Sequence, residues 1–148
     1  MPILSLIVTA ATAFGVVLVG GGLYEFLVID PFWPTRPDLI QPDRGGISRR
    51  RFWIPAHTAF ELILIAALVL AWSAADVRFW LLMALASHAT MRIWSAFDFI
   101  PKALAFEKAA TVDPAEAKRW SARSRFRFPL DLLTCFSLFA ALWTVYRG

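Results

Sequence analysis

The chain opens with 23 residues, Pro2 to Tyr24, that carry no charged side chain, and the apolar run continues through Leu27-Val28-Ile29. A helix rises about 1.5 Å per residue and the hydrocarbon core of a bilayer is about 30 Å thick, so about 20 apolar residues cross it. This stretch lacks a basic leader and its apolar part is too long for a secretory signal, so it reads as a retained membrane helix. Three more runs follow. Residues 53–75 contain only His57 and Glu61 as ionisable groups, residues 79–100 contain His88, Arg92 and Asp98, and residues 128–146 contain Asp131 near their start. Four spans, at about 3–29, 53–75, 79–100 and 128–146, predict an all-α integral membrane four-helix bundle occupying the chain as one domain, 1–148. The composition agrees: 59% of the residues are hydrophobic, against about 45–50% in soluble domains.

Basic residues set the expected orientation. The loop between the first two runs holds Arg36, Arg44, Arg49, Arg50 and Arg51. The loop before the last run holds Lys102, Lys108, Lys118, Arg119, Arg123, Arg125 and Arg127. The opposite side has only Arg78 and Arg147. Under the positive-inside rule the two long loops face the cytoplasm and both termini face out, as in a multi-pass protein of a bacterial inner membrane. Aromatic residues fall where interfaces are expected, Phe32, Trp33 and Trp53 inside and Trp72, Trp80, Trp143 and Tyr146 outside. The net charge of +4 then belongs to loops that face anionic lipid, and nucleic acid is not an expected partner. The lone Cys135 excludes an internal disulfide and a multi-cysteine metal site, and reads as a buried, inert thiol.

The loops carry their own signals. Asp113-Pro114 is an N-cap followed by proline at the first helical position. Arg119, Arg123 and Arg127 then recur every four residues beside Trp120, which predicts a short amphipathic helix, lying either on the inner membrane surface or as a solvated connector. In the first loop Pro31, Pro34, Pro37 and Pro42 with Gly45-Gly46 predict an ordered, non-helical excursion. Pro55 and Pro129 are expected in first helical turns and Pro101 at the end of the third span.

Ionisable groups inside a bilayer cost about 2.5–3.5 kcal/mol each on insertion scales, so the few present are informative. With the orientation above, Glu25, His57, Glu61, His88, Arg92, Asp98, Arg127 and Asp131 all fall in the inner half or near mid-depth. His57 and Glu61 are four apart, as are His88 and Arg92, and Arg127 and Asp131, so each pair shares a helix face. Gly20-Gly21-Gly22 ahead of Tyr24-Glu25 lets a neighbouring helix approach closely and bring Glu25 to the cluster.

Three readings compete for this cluster. It can be a metal site in which Glu25, His57, Glu61 and His88, with Asp98 or Asp131, hold iron, manganese or another divalent ion, although the Glu-x-x-His motif of di-iron bundles is absent. It can be a metal-free acid–base site, with His57 or His88 moving a proton and Arg92 holding an anionic oxygen. Or it can be structural, the same groups pairing across helices to fix register. Arg127–Asp131 reads most simply as an intrahelical ion pair, and Tyr24 as an interface aromatic or a hydrogen-bond donor into the cluster.

The pattern Gly22-Leu23-Tyr24-Glu25 followed by Pro31-x-Trp33, the segment 53–60 with Trp53, His57 and Phe60, and the Arg-rich connector from Arg119-Trp120 to Asp131 resemble a broad family of small four-helix membrane proteins. That family includes the anthrone oxygenase-like proteins. The resemblance implies oxidation of polyketide anthrones to anthraquinones without a classical cofactor; the chain departs from it in the third span and the loop after it. The combined expectation is an inner-membrane oxidoreductase, oxygenase-like, acting on a lipophilic aromatic or quinone-type substrate. His57 would be the proton acceptor or a metal ligand, Glu25 and Glu61 its partners, and His88 with Arg92 the opposite wall. The competing expectation is a non-enzymatic subunit of a membrane complex, a small-molecule binder or a transporter. The face built on Gly15 and Gly22 would suit a homodimer.

Overall fold

The computed structural model describes residues 2–147, and among them all regular structure is helical, with no strand. Helix α1 (Pro2–Tyr24) runs without a break into a π turn, Glu25–Ile29. Two 3-10 turns, Pro37–Ile40 and Pro42–Arg44, shape the first loop, so the proline-rich excursion is more helical than its prolines suggest. Helix α2 (Arg50–Leu70) and helix α3 (Ala75–Trp94) follow, and α3 passes through a second π turn, Ser95–Phe99, into α4 (Ile100–Lys108). Helix α5 (Pro114–Ser124) is joined by a 3-10 turn, Arg125–Arg127, to α6 (Phe128–Arg147).

Three stretches are long and apolar enough to cross a membrane: Pro2–Ile29, Arg50–Leu70 and Pro114–Arg147. Helix α3 is not among them. Its 20 residues are long enough, but Asp76, Arg78, His88 and Arg92 lie within it and dilute its apolar character.

Helix α6 packs most extensively on α3 and then on α1, α1 packs on α2, and the α2 and α3 backbones stand further apart, meeting through long side chains. Small residues set the close approaches. A Cβ on Gly15 would stand 2.7 Å from Leu138 Cδ1 of α6, and one on Gly21 would stand 2.5 Å from Phe52 Cε1 and 3.1 Å from Trp53 Cη2 of α2. Gly22 faces Phe128. The face expected to serve a second copy through Gly15 and Gly22 is therefore used inside the chain. One apolar core joins α1, α2, α3 and α6, with Val8, Phe60, Leu64, Leu81 and Leu138 fully buried.

A second core lies past the C-terminal end of α1 and the N-terminal ends of α2 and α6, where Trp33, Ile40, Phe99, Phe106, Ala117 and Trp120 pack together. It turns the two long loops into a cap. Asp113 caps α5, its carboxylate accepting from the Ala115 N–H at 2.9 Å. The apolar side of α5 is spent on this cap: Trp120 is buried edge-on against Trp33, Phe99 and Phe106. That side is thus unavailable to the membrane surface, one of the two placements expected for it. Pro101 does not end a helix but opens α4, where its missing N–H costs nothing because the π turn has already shifted the hydrogen-bond register. Pro55 lies inside α2 rather than in its first turn, because α2 begins at Arg50; it removes the bond that the carbonyl of the exposed Arg51 would accept.

Candidate functional site

Where the helices meet the cap there is a cavity of about 380 Å³, within the range of small-molecule sites. Ile54 of α2 and Ile100 of α4 both line it and are exposed at the surface, which puts its mouth between α2 and α4. Arg50 and Glu107 bridge the cap side of that mouth at 3.2 Å. An adjoining hollow of about 430 Å³ between α1 and α2 is lined chiefly by apolar groups and shares Glu25, Arg49 and Trp53 with the cavity. The cavity carries the chemistry, because the other ionisable side chains converge on it.

His57 comes from the second turn of α2 and projects into the cavity. Its ring stacks on Trp53 (centroids 5.4 Å apart) and leans on His88 (5.4 Å). Its Nδ1 is buried without a hydrogen-bond partner, and its ring makes no hydrogen bond among the described residues. His88 stands behind it on α3, 2% exposed, and its Nε2 lies 3.2 Å from Glu61 Oε1. An ionised carboxylate only accepts, which puts the His88 proton on Nε2 and leaves Nδ1 as a buried lone pair. The same Glu61 oxygen accepts from Arg92 Nε at 3.0 Å. The sequence pairs His57/Glu61 and His88/Arg92 are therefore joined across the helices through one carboxylate.

Glu25 is placed differently. It lies one helical turn past Gly21, on the face of α1 that meets Phe52 and Trp53, and there its carboxylate accepts from Trp53 Nε1 at 3.2 Å and faces Arg49 Nη1 at 3.7 Å. The metal-type donors that lie together are His57, Glu61 and His88, all within 4.8 Å of one another, and Glu25 is not of that group. Asp98 is taken up by Arg123 at 2.6 Å. Asp131 lines the cavity and has no hydrogen-bond partner among the described residues. Arg127 does not close an ion pair with it; it donates to the Ser124 carbonyl at 3.2 Å and to Ser95 Oγ at 2.6 Å, with its guanidinium 4.3 Å from the Phe99 ring centre. Tyr24 is exposed on the adjoining hollow, and Cys135 is half-buried, a free thiol among the described residues.

Several lining residues carried no site signal in the sequence. Arg49 counted there only as a loop charge, yet its guanidinium lies between the rings of Trp33 and Trp120, 5.8 and 5.7 Å from their centres. Asp30, just past the first span, is buried and accepts from Trp33 Nε1 at 3.0 Å; burial still pushes its carboxyl above the ordinary value of 3.8. Comparison of the chain with family models, with curated proteins and with solved structures finds no match. Whatever the site does must therefore be argued from its own geometry.

That geometry supports two chemistries. Two imidazoles and one carboxylate are a donor set suited to a divalent transition metal. Against this, the Glu61 oxygen nearest His88 already faces a guanidinium at 3.0 Å, so a cation there would sit beside a fixed positive charge. Proton transfer is the better match: His57 is open to the cavity, and the Glu61–His88 pair behind it is held in one tautomer.

Proposed function

We propose that the chain is a four-span inner-membrane oxidoreductase of the oxygenase-like type, with both termini outside and the loop cap in the cytoplasm. It takes a lipophilic aromatic or quinone-type molecule laterally, through the mouth between α2 and α4, from the inner leaflet. The observation that carries this reading is His57: a buried imidazole with an unpartnered Nδ1, stacked on an aromatic ring and facing a ligand-sized cavity. A purely structural histidine at membrane depth would be expected to spend at least one ring nitrogen on a partner, as His88 does on Glu61 and His57 does not. Glu61 spends its own on His88 and Arg92 and is the positioning group of the site.

In the proposed reaction His57 removes a proton from an activated ring methylene. The carbanion left behind is delocalised over the aromatic system and gives its electrons to dioxygen. A C–O bond forms to give a hydroperoxide; loss of the second methylene proton then breaks the O–O bond, leaving a carbonyl and water. The balance is CH2 plus O2 to C=O plus H2O, and dioxygen is the only oxidant needed. The resemblance to the anthrone oxygenase-like proteins points to the same substrate class, and here it has the standing of support for the proposal. A second reading, in which His57, Glu61 and His88 hold a divalent metal, draws on their mutual spacing.

Dioxygen uptake by the full chain in lipid nanodiscs, with anthrone as probe, tests both. Loss of a general base costs about 10²–10⁴-fold in rate, so His57→Gln should fall by that order while the protein stays folded. Uptake unaffected by His57→Gln would refute the acid–base role, and stoichiometric metal in the purified protein would favour the second reading.

A further inference from the structure

We propose that the cap end of the cavity is a subsite for one uncharged carbonyl oxygen of the ligand, held by Arg49 and Trp120. The proposal rests on the reading of the cavity as a lipophilic ligand site and specifies what that ligand must carry. The Arg49 side chain is only 10% exposed. Its Nη1 faces Glu25 across a long 3.7 Å, and its Nη2 is buried with no partner. Trp120 is 8% exposed, and its Nε1 is likewise buried with no partner. The guanidinium lies 5.7 Å from the Trp120 ring centre, and both residues line the cavity. Buried N–H groups without acceptors are uncommon in folded proteins, and two such groups on neighbouring side chains that both line one cavity mark a place where an acceptor belongs.

The charge of the lining says which kind of acceptor. The lining holds four arginines, Arg49, Arg50, Arg92 and Arg127, and an equal number of carboxyl groups, Glu25, Asp30, Glu107 and Asp131. The cavity therefore has unspent donors but no excess positive charge to hold an anion, which selects a neutral oxygen. Trp53 sets the reach from this subsite to the proton acceptor. Its indole N–H meets Glu25 beside Arg49, while its ring stacks on His57 at 5.4 Å. A flat polycyclic ligand lying along Trp53 would thus set its carbonyl at Arg49 and its far edge at His57. A guanidinium at the carbonyl would then stabilise the enolate formed as His57 takes the proton.

The test compares 9,10-anthraquinone with anthracene, a hydrocarbon of similar shape, binding to the full chain in nanodiscs. One neutral hydrogen bond is worth about 2–10-fold in affinity, so anthraquinone should bind about 5–50-fold more tightly than anthracene. Trp120→Phe, which keeps a ring and removes the N–H, should cost anthraquinone about 3–10-fold and leave anthracene unchanged. Arg49→Lys should do the same by removing the second guanidinium nitrogen. The carbonyl band of bound anthraquinone should shift to lower frequency in the wild type and less in Trp120→Phe, which a packing role alone would not produce. Equal affinity for the two probes, or an unshifted carbonyl band, would overturn the subsite while leaving the cavity as a lipophilic site. Failure of both probes to bind would overturn the cavity reading and the subsite together.

Discussion

Replacing Glu61 tests most directly how the polar cluster is held. Its Oε1 accepts from His88 Nε2 at 3.2 Å and Arg92 Nε at 3.0 Å, with side-chain exposures of 39% for Glu61 and 36% for Arg92. In Glu61→Ala the Arg92 guanidinium loses its counter-charge and the His88 N–H its acceptor. Breaking a fully buried pair from one side costs about 3–5 kcal/mol. A lone charge within a span costs about 2.5–3.5 kcal/mol on insertion scales, and partial exposure lowers either figure, so about 2–4 kcal/mol is expected. Glu61→Gln keeps an acceptor oxygen and weakens rather than removes both bonds, for about 1 kcal/mol. Removing both charges in Glu61→Ala/Arg92→Ala leaves no orphan ion, so the double variant should be more stable than the sum of the single losses by about 1–3 kcal/mol. Equilibrium unfolding in mixed detergent micelles gives all four corners of the cycle. If the two single losses simply add, or if Gln costs as much as Ala, the pair is not coupled and the convergence on one oxygen has no energetic meaning.

Three other outcomes follow from single contacts. Gly20 and Gly21 are neighbours, but a Cβ meets nothing within 4 Å at Gly20 and two aromatic rings within 3.1 Å at Gly21. Gly20→Ala should therefore be neutral or raise stability by up to about 1 kcal/mol through helix propensity, while Gly21→Ala lowers the melting temperature. Trp53→Phe removes the N–H that Glu25 accepts at 3.2 Å, a bond to a charged group worth about 1.5–3 kcal/mol; fluorescence or detergent unfolding should show a loss near the lower figure. Asp30 has a folded pKa raised by burial above 3.8. Its protonation favours the fold, so its contribution is present below the unfolded pKa and is lost as pH rises through the folded one. Asp30→Asn, which keeps the oxygen facing Trp33, should be more stable than wild type at neutral pH, and the gap should close on acidification. A gap that widens in acid would refute the sign.

What the sequence made legible, and what it did not, follows physical lines. Residues 2–29 and 50–70 stand out because a long apolar run has few alternatives to a helix, and Asp113-Pro114 marks the start of α5 because capping is local chemistry. Pairing of Glu61, His57, His88 and Arg92 across the helices is one of the three expected readings, but that Glu61 meets both His88 and Arg92 is not legible, since helix spacing fixes a face but not which neighbour it meets. For the same reason the sequence groups Glu25 with the histidines, whereas the face of α1 that carries Gly21 and Glu25 packs on α2 and gives Glu25 to Trp53 and Arg49. Arg49 and Trp120 were hidden more deeply. Each reads as a loop or interface residue until the cap folds, because their burial depends on Trp33, Phe99 and Phe106 arriving from three separate segments.

The second π turn offers the sharpest test of that cap. In Ser95–Phe99 the Ile100 N–H reaches back to the Ser95 carbonyl, one residue further than in an α-helix. The extra residue rotates everything beyond it by about 100° relative to an uninterrupted helix. Ser95 before it receives Arg127, Asp98 within it receives Arg123, and Phe99 lies under the Arg127 guanidinium in the cap core. Deleting Phe97, which is 85% exposed and packs on nothing in the core, removes one residue without removing a contact of its own. If the π turn merely accommodates local sequence, the deletion should close it into an α-helix with little change. If it is what aims Phe99 and α4 at the cap, the deletion swings Asp98 and Phe99 off their partners, and the cap should lose amide-exchange protection while the cores of α1 and α2 keep theirs. Substituting Phe97→Ala at the same site keeps the register and should leave the exchange pattern intact. Equal protection in the deletion and the substitution would show that the cap is held without the turn.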